Sequence, residues 1–207
     1  MTNKNVYFAP GYGIDQRYNN PSISFYRIIK IMSILLDSAK GKTDIKDRKE
    51  HRRGYLTIMD ARTGFIICTL PFGEIPVEKE ELYFRLSQEK ADRLYSWVNK
   101  HLPAPNNHTT SYESRDESMD HYGGSVYGEF KAFEFNVQFH IQLILSFSGM
   151  PELIDEAMML VLVKFFQKKW KNLELLPISA ESRNPFWQSI AEEFFNHKLI
   201  KEEIENF

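Results

Sequence analysis

From Phe133 to Phe147 every odd position is apolar: Phe133, Phe135, Val137, Phe139, Ile141, Leu143, Leu145 and Phe147. Glu134, Asn136, Gln138, His140 and Gln142 fall between them. Side chains of a strand alternate between its two faces, so this period fits a β-strand and no helix. The run exceeds an ordinary strand of about 5–6 residues. It therefore reads as two strands, or as one long bent strand, with an apolar face for a core and a polar face for water, a partner or a ligand.

The rest of the chain is placed around that run. Ser148-Gly149-Met150-Pro151 ends it, and PELIDEAMMLVLVKFFQKKW (151–170) reads as a helix. Pro151 suits the first helical position, Glu152, Asp155 and Glu156 suit the positive end, and Lys168 and Lys169 the negative end. Upstream, Ile28, Ile31, Met32, Leu35 and Leu36 lie at helical spacing, with Ser22 or Ser24 as cap and Gly41 as stop. Tyr55–Met59 and Phe65–Leu70 flank Asp60-Ala61-Arg62-Thr63-Gly64, which predicts a β-hairpin. Residues 77–101 read as an amphipathic helix with Leu82, Leu86, Leu94 and Trp97 on one stripe. Lys90 interrupts that stripe, as a lysine snorkelling at its edge would.

Charged residues 43–53 and polar residues 102–120 read as loops, the second long enough to be a lid or binding loop. The C-terminus reads as a short extended piece, LELLPIS, and one helix, NPFWQSIAEEFFNHKLIKEEI. The expected architecture is α+β: a mostly antiparallel sheet with helices packed on it, in profilin/PAS-like α-β-β-α-β-β-α order, plus a C-terminal helical extension. The expected organisation is an irregular arm at 1–20, one domain at 21–170 and an extension at 171–207 packed on that domain.

Composition narrows the function. A net charge of −2 and a pI near 6.3 give no basic field for nucleic acid. Cys68 is the single cysteine, which excludes an intrachain disulfide and fits a reducing compartment; its strand position predicts burial. The longest apolar run, AMMLVLV (157–163), is about a third of a membrane span, and the first twenty residues carry no signal-peptide core. The expectation is a cytoplasmic protein. Phosphate loops, dinucleotide fingerprints, HExxH and a Ser-His-Asp order are missing from the sequence.

Three pieces in chain order resemble the GlcG/HbpS-like family of small haem- and cofactor-associated α/β domains. They are MDARTG (59–64), Gln88-Glu89-Lys90-Ala91, and Gly123-Gly124 followed by a strand ending in Ser148-Gly149-Met150-Pro151 with Asp155-Glu156. The resemblance covers residues 22–166. It departs from the family in its long Phe-rich strand, its longer 102–120 loop and its last forty residues. It implies a non-catalytic binder of a small molecule, with haem, another tetrapyrrole or a metabolite held between the sheet and the 102–124 loop.

The residues offer matching candidates. His121 and Tyr122 can both ligate haem iron, and Gly123 and Gly124 would let backbone approach a flat ligand. The same stretch also reads as a turn needing only its glycines. His140 stands on the polar face of the long strand, within reach of a ligand laid across the sheet, or simply solvated. Ser148 and the following N–H groups could hold an anion, although Pro151 removes a donor and the neighbouring acids repel one. The sheet's polar face and long edges also suit a homo-oligomer. A second class of function is a structural or protein-interaction module. It would use the long loop and the aromatic stripe Phe186, Trp187, Ile190, Phe194 and Phe195.

Overall fold

The alternating run lies almost wholly in β5 (Val137–Ser148), with Phe133 and Glu134 ending β4 (Ser125–Glu134), its partner in a hairpin. They pair antiparallel from Ser125↔Ser146 to Glu134↔Val137. This is a computed structural model, which describes residues 7–8, 25–40, 42, 53–100, 109–134, 137–169, 173–175 and 177–205. For 7–8, 25–26, 132–134, 137–140 and 173 the description is of the backbone. The charged 43–52 segment, most of the N-terminal arm, and the caps Ser22 and Ser24 lie outside the described residues.

The expected element order is observed. Helix α1 (Phe25–Ala39) precedes the hairpin of β2 (Gly54–Asp60) and β3 (Ile66–Phe72). Helix α2 (Val77–Lys100) crosses to β4 and β5, and α3 (Glu152–Lys169) follows. Two short edge strands, β1 (Tyr7–Phe8) and β6 (Leu173–Leu175), complete an antiparallel sheet of order β1-β3-β2-β5-β4-β6. The first and last long strands meet at its centre, where β2 pairs β5 from Tyr55↔Ser148 to Asp60↔Leu143.

The MDARTG turn shows why the first hairpin closes there. Gly64 takes φ 74°, and its N–H donates to the Asp60 carbonyl at 2.9 Å. The buried Asp60 carboxylate accepts from the Arg62 N–H at 2.8 Å and from the Arg62 guanidinium at 2.9 Å. An aspartate bonding the backbone two residues on is the usual reason for that residue in a turn.

Both sheet faces are covered. Leu56, Ile58, Cys68, Leu70, Phe72, Val126, Phe130, Leu145 and Phe147 form one core with α1 and α3. Met59, Tyr127 and Ile144 form a smaller one with Ala91, Leu94 and Val98 of α2. Between that second cluster and the hairpin's far end, a row of hydroxyls crosses four strands under α2. Thr69 faces Thr57, Thr57 faces Ser146, and Ser146 faces Ser125. Thr57 Oγ1 lies 3.1 Å from Thr69 Oγ1 and 2.9 Å from Ser87 Oγ of α2.

The stripe expected on α2 is displaced. Its buried residues are Ser87, Lys90, Ala91, Leu94 and Val98, whereas Leu82 is 41% exposed. The buried face of this helix includes Ser87, which meets Thr57 of the hydroxyl row, and Lys90, which is bonded elsewhere, and leucine positions alone point to a different face.

Helix α3 is buried almost all round: every residue from Ile154 to Val163 is shielded. A helix apolar on all sides needs a second layer behind it. The C-terminal extension supplies that layer with α4 (Ala180–Arg183), α5 (Trp187–Asn196) and α6 (Lys198–Glu205). The single helix expected there is broken, because His197 is extended (φ −65°, ψ 132°) and ends α5. The aromatic stripe turns inward. Ile190 and Phe194 are fully buried, and Phe186, Trp187 and Phe195 pack against the same core. Phe194 meets Phe165 of α3 edge-on with ring centroids 5.9 Å apart. Buried Lys169 is held by the carboxylate of Glu203 at 3.2 Å.

Truncating a fully buried phenylalanine removes transfer energy and leaves a cavity. Phe194→Ala is expected to lose about 3–5 kcal/mol in urea unfolding. Phe65→Ala, at a side chain 63% exposed, is expected to stay within about 0.5 kcal/mol of the parent.

Candidate functional site

Two of the three resembling pieces supply residues to the region where α2, the Gly-Gly turn and the start of α3 approach one another; MDARTG lies towards the other end of the sheet, where Asp60 faces Leu143. Lys90 is 2% exposed and far from snorkelling. Its Nζ donates to the Phe147 carbonyl at 3.0 Å and to Asp155 Oδ2 at 3.1 Å. The lysine comes from one face of the sheet and the aspartate from the helix on the other. They meet beside the Cα of Gly124. A Cβ on Gly124 would stand 2.8 Å from Asp155 Cβ and 2.9 Å from Lys90 Nζ, and its φ of +125° is itself a glycine conformation. The second oxygen of Asp155 accepts the Met150 N–H at 3.0 Å. Burial pushes the Asp155 carboxyl up to about 7, against the opposing pull of Lys90 and of the Met150 and Gly149 N–H groups.

The Ser148-Gly149-Met150-Pro151 turn is thereby accounted for. Ser148 is buried at the end of β5 opposite Tyr55. A Cβ on Gly149 would lie 1.9 Å from the Arg53 carbonyl, so this glycine lets two backbones touch. The helix start is filled by the protein's own carboxylates: Asp155 takes Met150, and Glu152 takes the Gly123 N–H at 2.8 Å. The acids expected as simple helix-start charges are partners in specific bonds. Glu156 goes further, being fully buried. It accepts from Arg183 at 2.7 Å and from Asn184 at 2.8 Å, both in or next to α4.

The long loop, where described, is tied down. Thr110 caps a 3-10 turn (Ser111–Ser114) in a capping box with Glu113, and a second such turn covers Glu117–Met119. Thr110 Oγ1 lies 2.8 Å from Glu156 Oε2. Arg93 of α2 donates to the carbonyls of Ser111 and Ser114 at 2.8 Å and to that of Tyr122 at 2.6 Å. Tyr112 lies between two guanidinium groups, Arg115 at 4.2 Å and Arg183 at 4.1 Å from its ring centroid. Residues 109–124 therefore brace α2, α3 and α4. Residues 102–108 lie outside the described residues.

Outside this brace, α2 and the loop border an open cleft of about 620 Å³. It is lined by Arg85, Gln88, Glu89, Asp92, Arg93, Ser96, Trp97, Lys100, Ser114 and His121. His121 Nε2 lies 3.6 Å from Glu89 Oε1, and Glu89 also holds Arg93 at 2.7 Å. The Asp92 carboxyl is raised, first by partial burial and then by the charge of Glu89. Arg93 is occupied by Glu89 and the loop carbonyls.

Among the described residues named from sequence as ligand contacts, His121 alone lines this cleft, joined by Gln88 and Glu89 of the second resembling piece. Tyr122 is half-buried, and its hydroxyl donates to Asp120 at 3.2 Å; that bond raises its phenol pKa. Gly123 and Gly124 are buried. The first lies under Tyr112 and Glu152, with Tyr112 Cδ2 2.9 Å from where its Cβ would be, and the second against the ion pair. Ser148 lies in the sheet. His140 is opposite Lys131 in the β4–β5 hairpin, and its side chain lies outside the described residues. The sequence reading missed Arg93, Arg183 and Asn184, whose partners are remote in sequence. Thr110-x-x-Glu113 had a visible signal in its capping-box spacing. Buried Cys68 has its thiol pushed up to about 12 by desolvation. Among the described residues no group of three or more His, Cys, Asp or Glu is placed to hold a metal ion, and no helix is long and apolar enough to cross a membrane.

No protein-family model, curated protein or solved structure matches the chain.

Above a pH of about 7, where the Asp155 carboxyl is ionised, Lys90→Met and Asp155→Asn each leave one charged member of a buried pair, and each is expected to cost about 3–5 kcal/mol. The double variant is expected to lose less than the sum by at least about 1 kcal/mol in a double-mutant cycle. Gly124→Ala is expected to destabilise by more than the roughly 1 kcal/mol of an ordinary glycine replacement, because the new methyl enters the ion pair. The pH dependence has a definite sign. A carboxyl raised in the fold binds more protons there than in the unfolded chain. Stability relative to Asp155→Asn therefore falls as pH rises from about 4 to about 7, and levels off above it; urea midpoints across that range measure it.

Proposed function

We propose that the chain is a non-catalytic binding domain for a small polar metabolite, of the GlcG/HbpS-like kind, and that the ligand enters the cleft between α2 and the Ser111–His121 segment. The observation that carries this reading is the cleft itself. It is an open concavity walled by a helix and a braced loop, with acids, bases, one indole ring and the imidazole of His121 on its surface. Ligand sites are concave, built on a rigid frame and furnished with a few polar groups that orient the occupant.

Haem fits this cleft poorly. Its lining offers one aromatic ring, Trp97, and otherwise only the aliphatic stems of polar and charged side chains such as Arg85, Glu89 and Lys100, without the apolar side chains that would enclose both faces of a porphyrin. Tyr122 is turned to Asp120, and a raised phenol opposes the phenolate that would bind iron. The glycine pair leaves no slot for a flat ring, since Gly123 is filled by Tyr112 and Glu152, and Gly124 by Lys90 and Asp155. The ligand this lining suits is a small molecule with hydrogen-bonding or charged groups, which the rigid frame would orient.

Thermal unfolding against a panel of amino acids, amines, carboxylates and nucleosides tests the reading. A ligand at about a hundred times its dissociation constant adds about 2.7 kcal/mol, or about 5–10 °C for a chain of this size. The expected result is at least one such shift that Asp92→Ala and His121→Ala both diminish. A panel without a cleft-dependent shift would overturn the proposal. A saturable haem Soret band lost in His121→Ala would replace the metabolite by haem.

A further inference from the structure

We draw no further inference here: the strongest candidate, the mixed-charge cleft between α2 and the Ser111–His121 segment with its Glu89, Asp92 and His121 side chains, belongs to the site already described.

Discussion

The fold depends on a charge pair that joins its two sides. Lys90 reaches from α2, and Asp155 from α3, and they meet at the end of the sheet in the space that Gly124 leaves empty. Neither charge could be buried alone at tolerable cost. The pair therefore demands that the helix layers, the Gly-Gly turn and the end of β5 be in place together. The same aspartate fixes the turn that starts α3, through Met150. One lysine, one aspartate and one absent methyl group thus set the relative position of four elements.

A second constraint comes from α3, whose apolar surface runs all round. The sheet covers one side, and α1, α5 and α6 must cover the rest. Glu156, buried on that helix, makes the requirement chemical as well as apolar, because its cation and amide donors come from Arg183 and Asn184 at the start of the extension. The C-terminal helices belong to the core of this domain. Arg183 also stacks on Tyr112, so the extension holds the loop that walls the cleft.

The element order was legible because periodicity is local. Strict alternation placed β5 and the last two residues of β4, Asp60 and Gly64 placed the first hairpin, and Pro151 placed the start of α3. The apolar run at 157–163 carried more than was drawn from it, since an all-round apolar helix already implies a layer on each side. What stayed hidden was pairing across distance. Lys90 looked like an interruption of a stripe because its partner lies in another helix, and Glu156 looked like a helix-start charge because its cation lies in α4. The break at His197 was hidden too, since the flanking pattern stays helical. Of the candidate site, His121 was legible from its residue type; the α2 wall was not, because solvated charges on a helix face carry no mark of the loop that packs beside them.

The row Thr69, Thr57, Ser146 and Ser125 has a consequence for what the hydroxyls under α2 can hold. Thr57 Oγ1 meets Thr69 of the next strand and Ser87 of α2, so this end of the row ties the helix to the sheet. The buried hydroxyls of Ser146 and Ser125 have no hydrogen-bond partner among the described residues, and a buried hydroxyl left unpaired costs free energy. The row is thus a tether at one end and a burden at the other.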